Sequence, residues 1–433
     1  MAIVKLNTII CIVYLFFLTN SQLSGCRGPQ DLFKFQNFEL QNEFDISFFL
    51  QDEYPDRRTI KNMFTVLGEG GFGSVIKVTL IDKAQDTPFD VALKVLKYKE
   101  NQISRVDREI EVYKEMSIKH PLSAPIFFDC AHDAEKKVVF IITENLNGSM
   151  NSDEYVRLKS THINHIQHLL LMARTLLDLH LMGYAHCDIK PDNFMFLKSN
   201  PIIIKLIDYG MPQEPGVVFG GGTLSFRDPM SFDTRIVSRK RDIYALGLTF
   251  FLVIHTQYFK HIKVSKKAEI ETPEARSVFY AKRDAYLKEY FKTREPHLNT
   301  LEPLLRDAYL TINELIGKMV TNTYDDRIGL DEVIRILEEM LERLEPDSIY
   351  LGKNIDRLFH SVYPDSTFDY NRFIRGEISN EDLASPADNL HIINTHTAER
   401  SLPENHSTFS GLKRKNTYKE FDSTLKTEMR RVI

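Results

Sequence analysis

The stretch "YAHCDIKPDNFMF", Tyr184 to Phe196, sets an aspartate, a lysine and an asparagine at fixed intervals behind an apolar start. Downstream, "IIIKLIDYG", Ile202 to Gly210, ends a second apolar run on Asp208, two residues before a glycine. A carboxylate and an amide that meet at one point suit a hard cation such as Mg²⁺, which prefers oxygen ligands. Asn193 and Asp208 are therefore candidate metal ligands. Asp188 can receive a hydroxyl proton, and Lys190 can neutralise a phosphoryl group in transfer. Cys187 stands directly before that aspartate, and a thiol in such company needs a reason.

Working upstream, "LGEGGFGSV" runs from Leu67 to Val75 and places Gly68, Gly70 and Gly73 as G-x-G-x-x-G. A dinucleotide fold would need strand, glycine turn and then helix. Here strand-like residues flank the glycines on both sides. The pattern reads instead as a hairpin whose backbone can lie over phosphates because no side chains intervene. Next, "VALKVL" puts Lys94 inside an apolar strand. A buried lysine needs an anionic partner, and the following helical stretch offers Glu109 or Glu111; a lysine that merely snorkels to solvent would read the same.

These segments fall into an ordered whole. From Asn62 to Ala131 the chain is strand-like and roughly alternating, interrupted by the helical "RVDREIEVYKEM". From about Asp153 to Leu344 apolar residues recur at three- and four-residue intervals, as in "HLLLMARTLLDLH" and "LDEVIRILEEMLERL". A strand-rich part followed by a helix-rich part predicts an α+β protein with two lobes.

The ordered set resembles the eukaryotic protein kinase family over roughly Asn62 to Leu344. "LGEGGFGSV" looks like the glycine-rich loop, "VALK" the strand-three lysine and "REIEVYKEM" the regulatory helix. "HCDIKPDN" resembles the catalytic loop, "DYG" the metal-binding triplet, "GTLSFRDPM" the substrate-docking segment and "RDIYALG" the helix that anchors it. The resemblance implies a bilobal kinase fold, with a small β-rich lobe carrying one regulatory helix and a larger helical lobe. It implies ATP and Mg²⁺ as cofactors and a protein substrate with a Ser/Thr acceptor. Lys94 would hold the α- and β-phosphates, paired with Glu109, since Val112, Tyr113 and Met116 then fall at the family's apolar helix positions. Asp188 would orient and deprotonate the acceptor hydroxyl, Lys190 would contact the γ-phosphate, and Asn193 and Asp208 would ligate Mg²⁺. Leu67, Gly68, Glu69, Gly70, Gly71, Phe72 and Gly73 would cover the nucleotide. Its adenine would lie between Val75 and Ala92 above and Met195 below, with Thr143 guarding the back pocket and Glu144 and Leu146 on the hinge. Thr223 would bridge the base and the lysine. "DIKP" resembles Ser/Thr kinases, and "DIKPDNF" is similar to the casein kinase 1 and mitotic checkpoint branches without fixing a subfamily. A pseudokinase scaffold, the alternative, would be expected to lack one of Lys94, Asp188 and Asp208.

Three positions depart from the family pattern. Kinases switched on by activation-loop phosphorylation usually carry arginine before the base, to pair with the phosphate. Here that position is Cys187, and "MPQEPGVVFGGG", Met211 to Gly222, contains no Ser, Thr or Tyr. Receptor and phosphate acceptor are missing together, so the loop is expected to reach its active conformation without phosphorylation. Met230 replaces the glutamate that ends the docking segment, so Arg327 is expected to need another acceptor, such as Asp228, or solvent. Tyr209 replaces phenylalanine in the triplet and is expected to be neutral.

Outside these segments, residues 1–25 have the layout of a signal peptide: a cation, the apolar "IICIVYLFFL", then small and polar residues. The run is too short to span a membrane. "LSGC", Leu23 to Cys26, also has the shape of a lipoprotein processing site. Secretion, with delivery into another cell's cytosol as one destination, follows as an expectation; an intracellular kinase follows if the run is no signal. Residues 26–60 read as a Phe-rich extension packed on the kinase domain, 61–345. Residues 346–382 read as a helical or irregular extension, and the polar 383–433 as a disordered tail. The net charge of −5 gives no argument for nucleic acid as a partner. After signal removal, Cys26, Cys130 and Cys187 would remain as scattered thiols, expected to form no cross-link. The sequons at Asn147 and Asn405 are candidate glycosylation sites in a secretory lumen.

Overall fold

The computed structural model describes residues 38–40, 48–50, 60, 63–69, 73–82, 87–158, 161–255, 263–264 and 270–363. The expected signal segment, the tip Gly70–Phe72, Asn405 and the tail 383–433 lie outside them. The small lobe is an antiparallel sheet of β1 (Phe38–Leu40), β2 (Val66–Glu69), β3 (Gly73–Asp82), β4 (Thr87–Lys97), β5 (Phe127–Asp133) and β6 (Val138–Glu144). Strand β4 shows why the alternation matters. Val91, Leu93 and Val95 enter an apolar core with Ile76, Val78 and Leu80 of β3, which leaves Ala92 and Lys94 on the opposite face. A helix, α1 (Ile103–Lys119), lies between β4 and β5 in the chain.

The N-terminal extension joins this lobe. β1 pairs with the far end of β3, Phe38 opposite Asp82, prolonging the edge along which β2 pairs with the near end. Phe49 is buried in the outer core with Ile60 and stacks on Phe64 at 5.4 Å between centroids. The expectation of unlinked thiols is corrected at Cys130. This residue, fully buried on β5, is disulfide-bonded, while Cys187 is free, so its partner lies outside the described residues.

The large lobe begins with the short strand β7 (Gly148–Ser149), then α2 (Asp153–Leu158) and α3 (His162–Leu181). β8 (Phe194–Leu197) and β9 (Ile203–Leu206) form a three-stranded sheet with β7. Next come α4 (Met230–Asp233), α5 (Arg239–Ile254), α6 (Pro273–Leu298), α7 (Pro303–Met319) and α8 (Leu330–Leu344). From Arg241 to Val253, α5 is buried on every side, as a helix apolar all round must be when it runs through a core. A further helix, α9 (Ile355–Val362), carries part of the C-terminal extension and buries Leu358, Phe359 and Val362. Among the described residues no helix is long and apolar enough to cross a membrane.

The Met230 substitution is absorbed locally. Met230 Sδ accepts the Tyr324 amide at 3.2 Å. Arg327, buried, donates to the carbonyls of Thr321 (2.7 Å) and Lys240 (2.7 Å), and its guanidinium lies 4.9 Å from the Tyr244 ring centre. Asp228 stands 3.9 Å away. Ring faces, backbone oxygens and one distant carboxylate thus take over the missing acceptor's role.

Candidate active site

The catalytic loop is strained at its centre and held by one carboxylate. Cys187 takes a φ of +67°, which only a few per cent of non-glycine residues adopt. The turn persists because Asp242, near the start of α5, accepts the amides of His186 (2.6 Å) and Cys187 (2.9 Å) as well as the His180 ring (3.0 Å). Burial alone would raise the Asp242 carboxyl's pKa; His180, His186 and Arg241 outweigh it and hold the group below the ordinary range. His186 is fixed in one tautomer. Its Nδ1 accepts the Asp188 amide (3.3 Å), so Nε2 donates to the Ile207 carbonyl (3.1 Å) and ties this loop to the metal-binding triplet.

The reacting groups converge as their motifs imply. Asp188 Oδ1 accepts from the Thr223 amide and hydroxyl, both at 2.7 Å, and Oδ2 accepts from Lys190 Nζ at 2.7 Å. Lys190 also reaches the Thr223 hydroxyl at 3.2 Å, which closes the bridge expected of Thr223. Asn193 Nδ2 donates to the Asp188 carbonyl at 2.8 Å. Its amide oxygen is then the atom left to offer a cation.

On the opposite side of the cleft, Lys94 pairs with Glu109 and lies 2.9 Å from Asp208 Oδ1. Glu109 is buried and Glu111 exposed, which settles the choice between them. Lys94 holds the Asp208 carboxyl far below the ordinary carboxylate range, so it is ionised. An ionised, 43% exposed carboxylate and an amide oxygen fit Mg²⁺, a hard cation that keeps several waters and shares its remaining ligands with phosphates. Among the described residues no three His, Cys, Asp or Glu side chains gather as a self-sufficient metal site.

The residues that the family resemblance assigns to a nucleotide lie on both lobes. Leu67, Gly68 and Glu69 lie on β2, and Gly73 and Val75 begin β3. Ala92 pairs with Thr143 across β4 and β6, both buried. Leu146 is buried just past the hinge, and Met195, half-buried on β8, stands opposite Lys205 of β9. Gly73 is required by packing. A Cβ there would sit 1.9 Å from the Val95 carbonyl oxygen. The Glu144 carboxylate turns into the protein, where it binds Lys205 at 2.6 Å.

Several residues of the site escaped the sequence reading. Tyr113, expected only as an apolar helix residue, accepts the Asp208 amide with its hydroxyl at 3.1 Å. Tyr209 is not neutral: its hydroxyl donates to the Leu206 carbonyl at 2.9 Å and its ring meets Tyr113 edge-on at 4.7 Å. The activation segment is gripped by arginines. Arg105 binds the Gly210 carbonyl, Arg108 reaches the Gln213 side chain (3.0 Å), Arg241 the Gly221 carbonyl (3.0 Å) and Arg227 the Gly222 carbonyl (3.3 Å). Gly222 has φ +101°, and a Cβ there would lie 2.3 Å from the Cys187 carbonyl oxygen. The segment's backbone therefore occupies the space beside Cys187.

Comparison with known proteins agrees with this arrangement. The protein kinase domain model matches residues 62–337. The chain is 28% identical over 231 residues to serine/threonine-protein kinase D2 of Homo sapiens, covering 50% of this chain and 24% of that one. A probable serine/threonine-protein kinase of Dictyostelium discoideum is 26% identical over 303 residues, 65% of this chain and 42% of that one. Serine/threonine-protein kinase MPS1 of Encephalitozoon cuniculi is 24% identical over 235 residues, 48% of this chain and 39% of that one. The chain thus spans less than half the length of these relatives. With its motifs, its two lobes and a family match over more than half its length, the chain belongs to the protein kinase family.

Proposed function

We propose that the protein is an active serine/threonine kinase that transfers the γ-phosphate of ATP to Ser or Thr hydroxyls of proteins without prior phosphorylation of its activation segment. The carrying observation is the closed set around Asp188, with Thr223 on one carboxylate oxygen and Lys190 on the other. Asp188 orients the acceptor hydroxyl and takes its proton as the new P–O bond forms. Lys190 offsets charge on the transferring group, and Lys94, held by Glu109, is placed for the α- and β-phosphates. Asn193 and Asp208 would hold Mg²⁺, which supplies charge neutralisation of the phosphates. Radiolabelled ATP·Mg²⁺ with a mixed protein substrate is expected to yield phosphoserine and phosphothreonine, lost in Asp188→Asn. Nucleotide binding without any transfer would move the protein to the scaffold class.

Independence of loop phosphorylation is supported by the four arginines that grip residues 210–222 through neutral acceptors. A phosphate normally performs this ordering by pairing with arginine. Phosphatase treatment is expected to leave the rate unchanged, with no phosphate at Thr223.

We also propose export through the secretory route. The apolar run of residues 9–18 supports it, and so does the Cys130 disulfide, since disulfides persist in oxidising compartments. That disulfide favours a lumenal or extracellular end site over a reducing cytosol. Fusing residues 1–25 to a reporter is expected to export it; retention inside the cell would remove this part of the reading.

A further inference from the structure

Tyr363 lies well past residue 337, where the family match ends, at the C-terminal end of α9. Its side chain nevertheless reaches the back of the nucleotide cleft. The hydroxyl accepts from Lys205 Nζ at 2.9 Å and donates to the Pro121 carbonyl at 3.1 Å. Lys205 is fully buried on β9, three residues before Asp208, and its other partner is the hinge carboxylate of Glu144 at 2.6 Å. Glu144 in turn accepts the Ile126 amide at 3.2 Å, and its own amide donates to the Ile126 carbonyl at 2.8 Å. Pro121 and Ile126 both belong to the connection between α1 and β5. Three segments thus meet on the Lys205–Tyr363 pair: the connection leaving the regulatory helix, through Pro121; the hinge, through Glu144; and the strand that leads to the metal-binding triplet, through Lys205 itself.

The chemistry calls for such a partner. A buried ammonium has three donors, and each one left without an acceptor in an apolar surround is costly. Glu144 takes one, and the Tyr363 hydroxyl takes a second while donating its own hydrogen to the Pro121 carbonyl. Because Lys205 and Met195 are cross-strand neighbours on one face of the β8–β9 pair, the clamp sits beside the floor of the expected adenine site.

We infer that Tyr363 is a positioning residue for nucleotide binding: from outside the kinase domain it fixes the hinge backbone through Lys205 and Glu144, and the C-terminal extension to residue 363 is part of the catalytic unit. The assignment of the bound group as an adenine nucleotide rests on the kinase reading; the clamp itself does not.

The test is Tyr363→Phe in the full chain, which removes one hydroxyl and keeps the ring. Amide exchange is expected to rise in residues 121–126 and 144–147 and nowhere else to the same degree. The KM for ATP is expected to rise about five-fold, less than the roughly ten-fold or more that direct loss of a hydrogen bond to a charged group gives, because the effect passes through Lys205, with kcat and the KM for the protein substrate within two-fold. Truncation after residue 345 is expected to exceed this effect in the same direction. Unchanged exchange in both segments would overturn the clamp. A lowered melting temperature with an unchanged KM for ATP would overturn the positioning role. If the wild-type chain turns over no ATP but its hinge exchange still responds to Tyr363→Phe, the kinase reading fails and the clamp stands.

Discussion

The catalytic loop and the activation segment lie against each other and are both irregular, yet they are held by opposite chemistry. The catalytic loop hangs its amides on a buried carboxylate, Asp242. The activation segment offers carbonyls, and arginines from α1, α5 and the docking segment donate to them. A carboxylate inside the core cannot be replaced by water, so the first loop is fixed as firmly as the fold. Guanidinium contacts to neutral carbonyls are individually modest, so the second is fixed by their number. A phosphate would concentrate that grip in one group. Here it is spread over several neutral acceptors, as the proposed independence of phosphorylation requires.

The largest expected effect breaks the first loop. Asp242→Ala leaves two buried amides and the His180 ring without an acceptor, and is expected to cost roughly 3–5 kcal/mol of stability, read by denaturant unfolding. The carboxyl's folded pKa lies below its unfolded value of about 4. Its stabilising contribution is therefore complete above that value and fades as pH falls through the depressed folded pKa. The stability gap between wild type and Asp242→Asn should accordingly shrink in acid; a gap that widened below pH ~4 would contradict the assignment. Next in size, Lys94→Met is expected to lower kcat/KM by roughly 100-fold or more while the chain stays folded, because the lost group faces the phosphates. Smaller again, Arg241→Gln should loosen the Phe219–Gly222 backbone and reduce kcat about ten-fold without shifting the KM for ATP. If that variant kept full activity, the distributed grip would not be what orders the segment.

The same contrast explains what could be read from the chain alone. Asp188, Lys190, Asn193, Asp208 and Lys94 stood out because the roles that the family resemblance implies would demand particular side chains at particular spacings, and the two-lobe α+β order followed from a change in apolar period. The arginines that grip the activation segment did not, since three of the four act on backbone carbonyls, which have no letter in the sequence. Asp242 left a faint signal: a charged pair, Arg241–Asp242, opens a helix otherwise buried all round, and buried charges are placed for partners. Gly73 belonged to a recognised motif, but the structure gives it a packing reason, the close Val95 carbonyl, where the sequence offered a phosphate. Tyr363 and the Cys130 disulfide depend on contacts between distant parts of the chain that no periodicity encodes. Glu144 was placed on the hinge from the sequence, but its carboxylate points away from the cleft, because a lysine 61 residues later claims it.

The smallest expected effect sharpens the comparison at the point where the two loops touch. Cys187 sits between them, buried, with its Sγ 3.5 Å from the Ala185 carbonyl and its own carbonyl against Gly222. Burial pushes the thiol's pKa far up, and the neighbouring Asp242 carboxylate adds to the shift over the opposing pull of Arg241. A thiol in that state is neither a nucleophile nor a redox sensor at neutral pH. Iodoacetamide at pH 8 is therefore expected to leave Cys187 unlabelled in the folded chain and to label it only after unfolding. Cys187→Ala should change activity less than two-fold, since the residue's function is to be small where the activation segment's backbone comes to rest. Cys187→Arg would place a guanidinium where no phosphate can meet it and where Ala185, Val237, Met211 and Phe219 already pack. Loss of activity there, beside a tolerated alanine, would locate the constraint in volume; rapid labelling of the native thiol would locate it in chemistry instead.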